Sequence, residues 1–428
     1  MRTTTWTIAL LAILTAGVVN AQDLTGDWQG TLAIGARTFR MLVHLEKAPG
    51  GAWNATFDNI DRSVDLGILT PVESIAVQGR NVKFAQAPSR GGGNYEGTIS
   101  ADGNSIAGTW KQNQRQLPLE FKRATPATAW GHPATHSVRF VTVDKDVKLE
   151  VLDWGGSSGA RPLVMLAGGG ATAHSLDAFA AKLANQYHVW GITRRGFGAS
   201  SAVTGGISAD RLADDVLAVI DALKITKPVL VGHSIAGQEM SSIGSRHPER
   251  VAGLVYLDSG YAYAFYDKSR GDAYIDALEV RRKLEQLQCC GPTQDPKVVR
   301  DLLDTLLPQL EKSLKTQQAL GTPPPPQTGS QIGAANQVII DAQQKYTSIP
   351  VPILAIYAIP HDPPAFPGLE RAAQDALEEA TAGAQATAFE RGLPSARVVR
   401  IPHADHWVFR SNEADVLREM TAFIAGLK

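Results

Sequence analysis

The sequence predicts two folds in series: a small all-β barrel or sandwich, then an α/β domain with a mostly parallel sheet and a helical cap. Three observations predict this. Residues 22–123 carry only short alternating runs separated by Gly, Asn and Asp, with no helical periodicity. From residue 136 onward, apolar strand-like runs alternate with amphipathic helical stretches, the pattern of a parallel sheet covered on both faces. A mostly helical insertion, residues 261–348, then breaks that rhythm between two strands, where a cap over a sheet edge is spliced in.

Bulk properties agree. The chain has 428 residues, too many for one small domain. Its 44% hydrophobic and 19% charged content suits a globular protein with a large core. A formal net charge of −1 supplies no basic field to hold nucleic acid, so no nucleic-acid partner is expected. Residues 1–21 read as a secretory leader: Arg2, then the apolar run Ile8–Val19, then small residues ending at Ala21. That run is about a dozen residues, short of the ~20 that span a membrane. A periplasmic or secreted protein with no stable membrane span after cleavage is therefore expected. The two cysteines, Cys289 and Cys290, are neighbours, which is not a disulfide scaffold. No Cys or His stands at ligand spacing from them, so no metal is expected there.

In chain order, "DWQGTLAIG", "FRMLVHLEK", "WNATFDN", "SIAVQGRNVKFAQ", "NYEGTISADGNSIAGTWKQ" and "LPLEFKR" supply the front strands, with "ADGNS" as a hairpin turn. Trp28, Trp53 and Trp110 lie on these runs; strand tryptophans are more often core than ligand platform, although a sugar- or surface-binding role stays open. Residues 124–135, rich in Ala, Thr and Pro, read as a linker. The runs "RFVTV", "KLEVLDW", "PLVMLAG", "HVWGITR", "PVLVGHS", "VAGLVYLD", "PILAIYAI" and "ARVVRIP" follow as strands of residues 136–428.

In such a sheet, functional groups gather beyond the carboxyl ends of the strands. After "PLVML" come three glycines, 168–170, whose uncovered N–H groups suit an oxyanion. No Walker-type lysine and no G-x-G-x-x-G accompanies them, which argues against a nucleotide. After "PVLV" comes "GHSIAG", residues 232–237. It approximates the turn that lifts a nucleophilic serine above a sheet, where the residues two before and two after the serine must be small. Gly232 meets that need, while Ala236 adds one methyl. Ser234 is thus the candidate nucleophile, Ile235 and Gly169 the candidate oxyanion donors, and Gly170 and His233 candidate pocket residues, with His233 alternatively packing under the turn. A serine needs a base. His406 in "IPHADHWVF" is favoured over His403, because it sits in the loop rather than on the strand's last turn. The histidine needs an acid. Asp362 in "IPHDPP" is favoured over Asp258 in "LVYLDSG"; both follow strands.

These elements in this order resemble the α/β-hydrolase superfamily over residues 136–428, most like its exported bacterial members. "LAGGGAT", "RRGFGASS", "VGHSIAG", "IPHD" and "ADHWVF" carry the resemblance. It implies an α/β-hydrolase fold, with Ser234 as nucleophile, His406 as general base, Asp362 as its partner, and Gly169 and Ile235 as the oxyanion hole. Two departures stand out: Ala167 replaces the histidine that many members place before the oxyanion glycines, and the gap from Asp362 to His406 is long. The front domain resembles small β-domains found before secreted serine hydrolases. Cleavage of a small-molecule carboxylic ester or related acyl compound is the expected activity, with no metal or organic cofactor. A lactone, thioester, amide or peptide would use the same groups. An aminopeptidase would add an acidic anchor in the cap, for which Asp267, Asp272 and Asp276 are available. A non-catalytic small-molecule-binding protein of the same fold is the alternative of another class.

Overall fold

The structure is a computed structural model that describes residues 23–427, apart from 35–36, 60–70, 87–91, 113, 125–135, 158, 202–206, 290–294, 321–333 and 366–368. The leader and, beyond Ala124, the linker fall outside the described residues.

The front strands form as their alternation predicts. They are β1 (Gly26–Ile34), β2 (Arg37–Lys47), β3 (Trp53–Asn59), β4 (Ser74–Gln78), β5 (Asn81–Ala85), β6 (Asn94–Ile99), β7 (Ser105–Gln112) and β8 (Arg115–Arg123). All pair antiparallel in the order β3-β2-β1-β8-β7-β6-β5-β4. The two edges nearly meet: Val72 N–H donates to Ala55 O at 3.0 Å, and Thr56 bridges to Pro71. The sheet is thus a near-barrel, which protects its edges. Trp28, Phe57, Phe84, Tyr95, Trp110 and Phe121 fill the interior. Trp28 and Trp110 are therefore core; Trp53 stays half-buried at the rim.

The second sheet contains β9 (Ser137–Asp144), β10 (Val147–Gly155), β11 (Pro162–Leu166), β12 (His188–Ile192), β13 (Val229–His233), β14 (Gly253–Leu257), β15 (Ile353–Ala358) and β16 (Ala396–Ile401). Its order is β16-β15-β14-β13-β11-β12-β10-β9. Strands β11 to β16 run parallel, with β10 and β9 antiparallel at one end. β13, β14 and β15 are buried along their whole length, because helices cover both faces. Helices Asp177–Leu183 and Glu413–Ala425 pack on one face; Ala209–Ala222, Ala236–Arg246 and Ala384–Gly392 pack on the other. β12 and β13 flank β11 on opposite sides, so the chain reverses direction across the sheet there. A crevice for ligand opens at that switch point. The insertion between β14 and β15 forms helices Ala273–Cys289, Pro296–Asp301, Leu307–Leu320 and Ala334–Asp341, with Val280, Leu302 and Leu306 as a small core of their own. Among the described residues no helix is long and apolar enough to cross a membrane.

Among the described residues, an ion pair joins the two sheets. Arg40 on β2 donates to Glu150 on β10 at 3.1 Å, and neither side chain is exposed. Glu150 also accepts from His174 Nε2 at 3.0 Å and from Thr193 Oγ1 at 2.8 Å. Burial alone raises the Glu150 carboxyl, but the charges of Arg40 and His174 prevail and hold it at about 2. His174 is lowered by burial and raised further by Glu150, ending at about 9.

Removing one partner of a buried pair strands the other charge. Arg40→Met is therefore expected to destabilise the protein by about 3–5 kcal/mol, read as a drop in melting temperature. The pH dependence follows from the two shifts. Glu150, depressed from 4.5, contributes above 4.5 and loses its share as pH falls towards 2. His174, raised from 6.5, contributes fully below 6.5 and loses its share as pH rises through about 9. Melting temperature should fall between pH 6.5 and 9, and that slope should flatten in His174→Asn.

Candidate active site

The turn after β13 explains the imperfect motif. Ser234 is held at φ +53°, in the left-handed region that a side chain rarely adopts, between the strand and helix Ala236–Arg246. A Cβ on Gly232 would lie 3.0 Å from the Ala236 Cβ and 2.7 Å from Met240 Cε. The extra methyl of Ala236 is thus accommodated by the glycine opposite, and Ala236 is fully buried. Gly237, one position later than the motif expects, has its own reason. A Cβ there would stand 2.2 Å from the Ser259 carbonyl oxygen, backbone that cannot step aside. Ser259 Oγ in turn donates to Ser234 O at 2.6 Å, fastening the turn to the segment after β14.

The glycine loop after β11 lies against this turn. A Cβ on Gly168 would fall 2.5 Å from His233 Nδ1 and 3.3 Å from Ser234 Cβ, and one on Gly169 would fall 3.7 Å from Ile235 Cγ2. Among the described residues, no acceptor engages the N–H of Gly169 or of Ile235, so both remain available to a developing oxyanion. Gly170 does not: its N–H donates to Oδ1 of Asn336 in the cap at 2.9 Å. Through this bond Gly170, expected at the pocket, ties the loop to the cap. Arg194 supports the same loop from below, donating to Gly168 O at 3.2 Å and pairing with buried Glu239.

His406 follows β16, and its Nδ1 donates to Oδ2 of Asp258 at 2.6 Å. That bond leaves Nε2 as the nitrogen able to serve as base. The His406 ring lies 4.6 Å from that of His233, the neighbour of Ser234. His233 itself is buried, with Nε2 on the carbonyl of His406 at 2.9 Å and its ring between His406, Trp407 and Phe409. Burial and the adjacent His406 depress it to about 3, so it is neutral. Of the two places expected for His233, pocket wall or packing under the turn, it takes the second and props the histidine loop from beneath.

Asp362, the acid expected from sequence, is not at the site. Its side chain is largely exposed and faces Arg371 at 3.5 Å. The cause is alternation along an extended segment: the preceding residue, His361, bridges to Ala404 and turns inward, so Asp362 turns outward. His403 is on the same outer side, with Nδ1 on Arg371 at 2.6 Å. The acid beside His406 is Asp258. β13 and β14 pair in register with His233 opposite Leu257, which sets Ser234 and Asp258 at one level on adjacent strands. Asp258 is fully buried, at φ +45°. Oδ2 accepts from His406 and from His361 Nε2 at 2.8 Å; Oδ1 accepts from Tyr261 at 2.9 Å and Ala358 N–H at 3.1 Å. Burial pushes its carboxyl up, but the bonds from His361 and His406 outweigh that and hold it at about 2.

A cavity of about 480 Å³ adjoins this cluster, lined among others by Tyr261, Tyr263, Arg270, Asp272, His361 and Glu378. Tyr263, on the cavity wall, neighbours the Ser234 side chain. Two groups of ligand-type side chains occur among the described residues, Asp258–His361–His406 and His136–His174–Asp177. In the first, both imidazoles already spend a nitrogen on Asp258. In the second, His174 is held protonated, whereas a ligand imidazole must offer a free lone pair.

With this geometry in view, a family model described as "Alpha/beta hydrolase family" matches residues 163–419. Among curated relatives, the chain is 24% identical over 248 residues to 2-(acetamidomethylene)succinate hydrolase of Mesorhizobium japonicum, covering 57% of this chain and 80% of that protein. It is 33% identical over 103 residues to non-heme chloroperoxidase of Burkholderia pyrrocinia, covering 24% of this chain and 37% of that protein, well under half of its length. A solved structure of E-2-(acetamidomethylene)succinate hydrolase is similar at a TM-score of 0.42 and 18% identity, over 68% of this chain and all of that one.

Two substitutions separate the acids. Asp258→Asn should lower kcat/KM by about 10⁴-fold, as loss of the histidine's partner does elsewhere, while Asp362→Asn leaves it within about twofold. Steady-state kinetics on one activated ester checks both. Gly237→Ala should destabilise the fold by about 1–3 kcal/mol, measured by urea unfolding, whereas Ala236→Gly is tolerated.

Proposed function

The chain belongs to the alpha/beta hydrolase family, and from that premise we propose that it is an exported serine hydrolase of small carboxylic esters or related acyl compounds, with Ser234, His406 and Asp258 as its triad. The observation that carries this is the 2.6 Å bond from His406 Nδ1 to a fully buried Asp258, one strand over from a serine held in a left-handed turn. Export rests on the leader-like residues 1–21.

In the proposed reaction, Ser234 Oγ attacks the acyl carbonyl carbon while His406 Nε2 takes its proton. Asp258 stabilises the imidazolium that forms and fixes its orientation. Negative charge on the former carbonyl oxygen is met by the N–H groups of Gly169 and Ile235. Collapse expels the alcohol, which receives the proton from His406, and leaves an acyl-serine. Water then repeats the sequence, frees the acid and restores Ser234. No step calls for a metal or an organic cofactor.

A substrate with a free amine is the second reading. Asp276 is already paired with Lys345 at 2.7 Å, and Asp267 caps its own loop through Ser269. Asp272 lines the cavity, and it alone of the three cap acids faces the space a substrate would fill. Burial raises its carboxyl.

A fluorophosphonate probe and short p-nitrophenyl esters test the reading directly. The native protein should label and turn over; Ser234→Ala should lose labelling and about 10⁶ of the rate. A native protein that neither labels nor cleaves any ester, lactone or amide sinks the catalytic reading and leaves the small-molecule-binding alternative.

A further inference from the structure

Asp258 has more company than a triad acid needs. His361 donates from Nε2 to the same Oδ2 that receives His406, at 2.8 Å. Behind it, His361 Nδ1 lies 2.8 Å from Oε2 of Glu378, which also accepts the His361 N–H at 2.6 Å. Glu378 Oε1 accepts from Ala365 N–H at 2.8 Å. The three side chains come from three places in the chain: the end of β14, the segment after β15, and the end of helix Arg371–Glu378. Asp258, His361 and Glu378 are each buried.

Resting on the triad proposed above, we propose that His361 and Glu378 are positioning residues for the catalytic acid. His361 clamps the Asp258 carboxylate in the orientation that receives His406, and Glu378 holds His361 from behind. With both carboxylates ionised, an imidazole bonded to each through one nitrogen carries both protons, so His361 is a cation set between two anions. The trio then bears one net negative charge, and His406 meets the field of a single carboxylate although two are buried nearby. Burial lowers the basicity of His361, but Asp258 and Glu378 together raise it to about 9.

The other groups facing His361 do not replace these two. Arg371 donates to its carbonyl oxygen at 3.2 Å and not to its ring. Tyr261 bonds Asp258, and the His406 ring stands 6.2 Å away. Arg270 and Asp272 line the same cavity. A clamp of this kind serves orientation as well as charge, since an ångström-scale misplacement of a catalytic group costs about 10² in rate.

The test uses the full-length protein with p-nitrophenyl acetate. In His361→Gln, kcat should fall by about 10²-fold with KM nearly unchanged. The acid limb of kcat/KM should move up by about one pH unit, because Asp258 and Glu378 lose the cation between them. In Glu378→Gln the acid limb should move down, because His361 and Asp258 then cancel in charge, and an alkaline decline should begin at lower pH, because His361 then gives up its proton sooner. Asp258→Asn combined with His361→Gln should be no worse than Asp258→Asn alone. Histidine NMR supplies a readout independent of turnover: His361 should remain imidazolium to about pH 9 in the native protein and in Ser234→Ala. A His361 that titrates as a free imidazole, near 6.5, overturns the proposal even if the esterase reading stands. So do His361→Gln and Glu378→Gln proteins that keep kcat and both limbs. Should His361→Gln fail to fold, Glu378→Gln and the NMR titration still decide. Absence of all turnover, with His361 imidazolium intact, counts against the triad and not against the clamp.

Discussion

A carboxylate cut off from water is tolerable only where donors replace the hydration it has lost. Asp258 meets that demand with four: two imidazoles, a phenol and a backbone N–H. They arrive from the end of β15 and from the segments that follow β14, β15 and β16, so one buried anion gathers the ends of three neighbouring strands. The site is therefore not four side chains hung separately on a scaffold. The His406 loop, the His361 segment and the Tyr261 turn share one anchor, and displacing any of them takes a donor from the buried carboxylate. An internal electrostatic requirement of this kind also fixes which nitrogen of His406 is turned outward.

A second constraint is steric and lies next door. The glycine loop, the serine turn and the histidine loop are wedged together around His233. Its Nδ1 edge fills the space above Gly168, and its Nε2 holds the carbonyl of His406. Because burial keeps this ring neutral, it spaces the two loops without adding a competing charge. Below it, Arg194 and Glu239 form a buried pair that also grips the Gly168 carbonyl. Precision at the serine thus depends on residues that need never touch a substrate.

Much of this was legible in the sequence. Apolar runs gave every strand of the parallel sheet, and alternation gave the near-barrel in front. Ser234 stood out because it sits directly at a strand end, and His406 because it sits in the loop after the last strand. Asp362 did not survive, and the reason is parity. One residue along an extended segment reverses the side chain's direction, and "HD" in "IPHDPP" puts the histidine in and the aspartate out. A signal for Asp258 was present: it follows β14 by the same single step that Ser234 follows β13, and in-register parallel strands then place the two side by side. Glu378 and Asn336 were beyond reach. Both lie on helices whose approach to the sheet is set by packing across the fold, which no local pattern encodes.

The pairing of Arg40 with Glu150 bears on how such a two-part chain can change over evolutionary time. Front domains joined by a tether alone can be lost, swapped or duplicated without consequence for the partner. Here the α/β domain keeps an anion on strand β10, next to the sheet's end, whose strongest counterion belongs to the β-domain. A lineage that shed the front domain would inherit that anion without its strongest partner, leaving His174 and Thr193 to hold it alone. The two halves are thereby bound to a shared history, held together by a debt of charge rather than by the length of the segment between them.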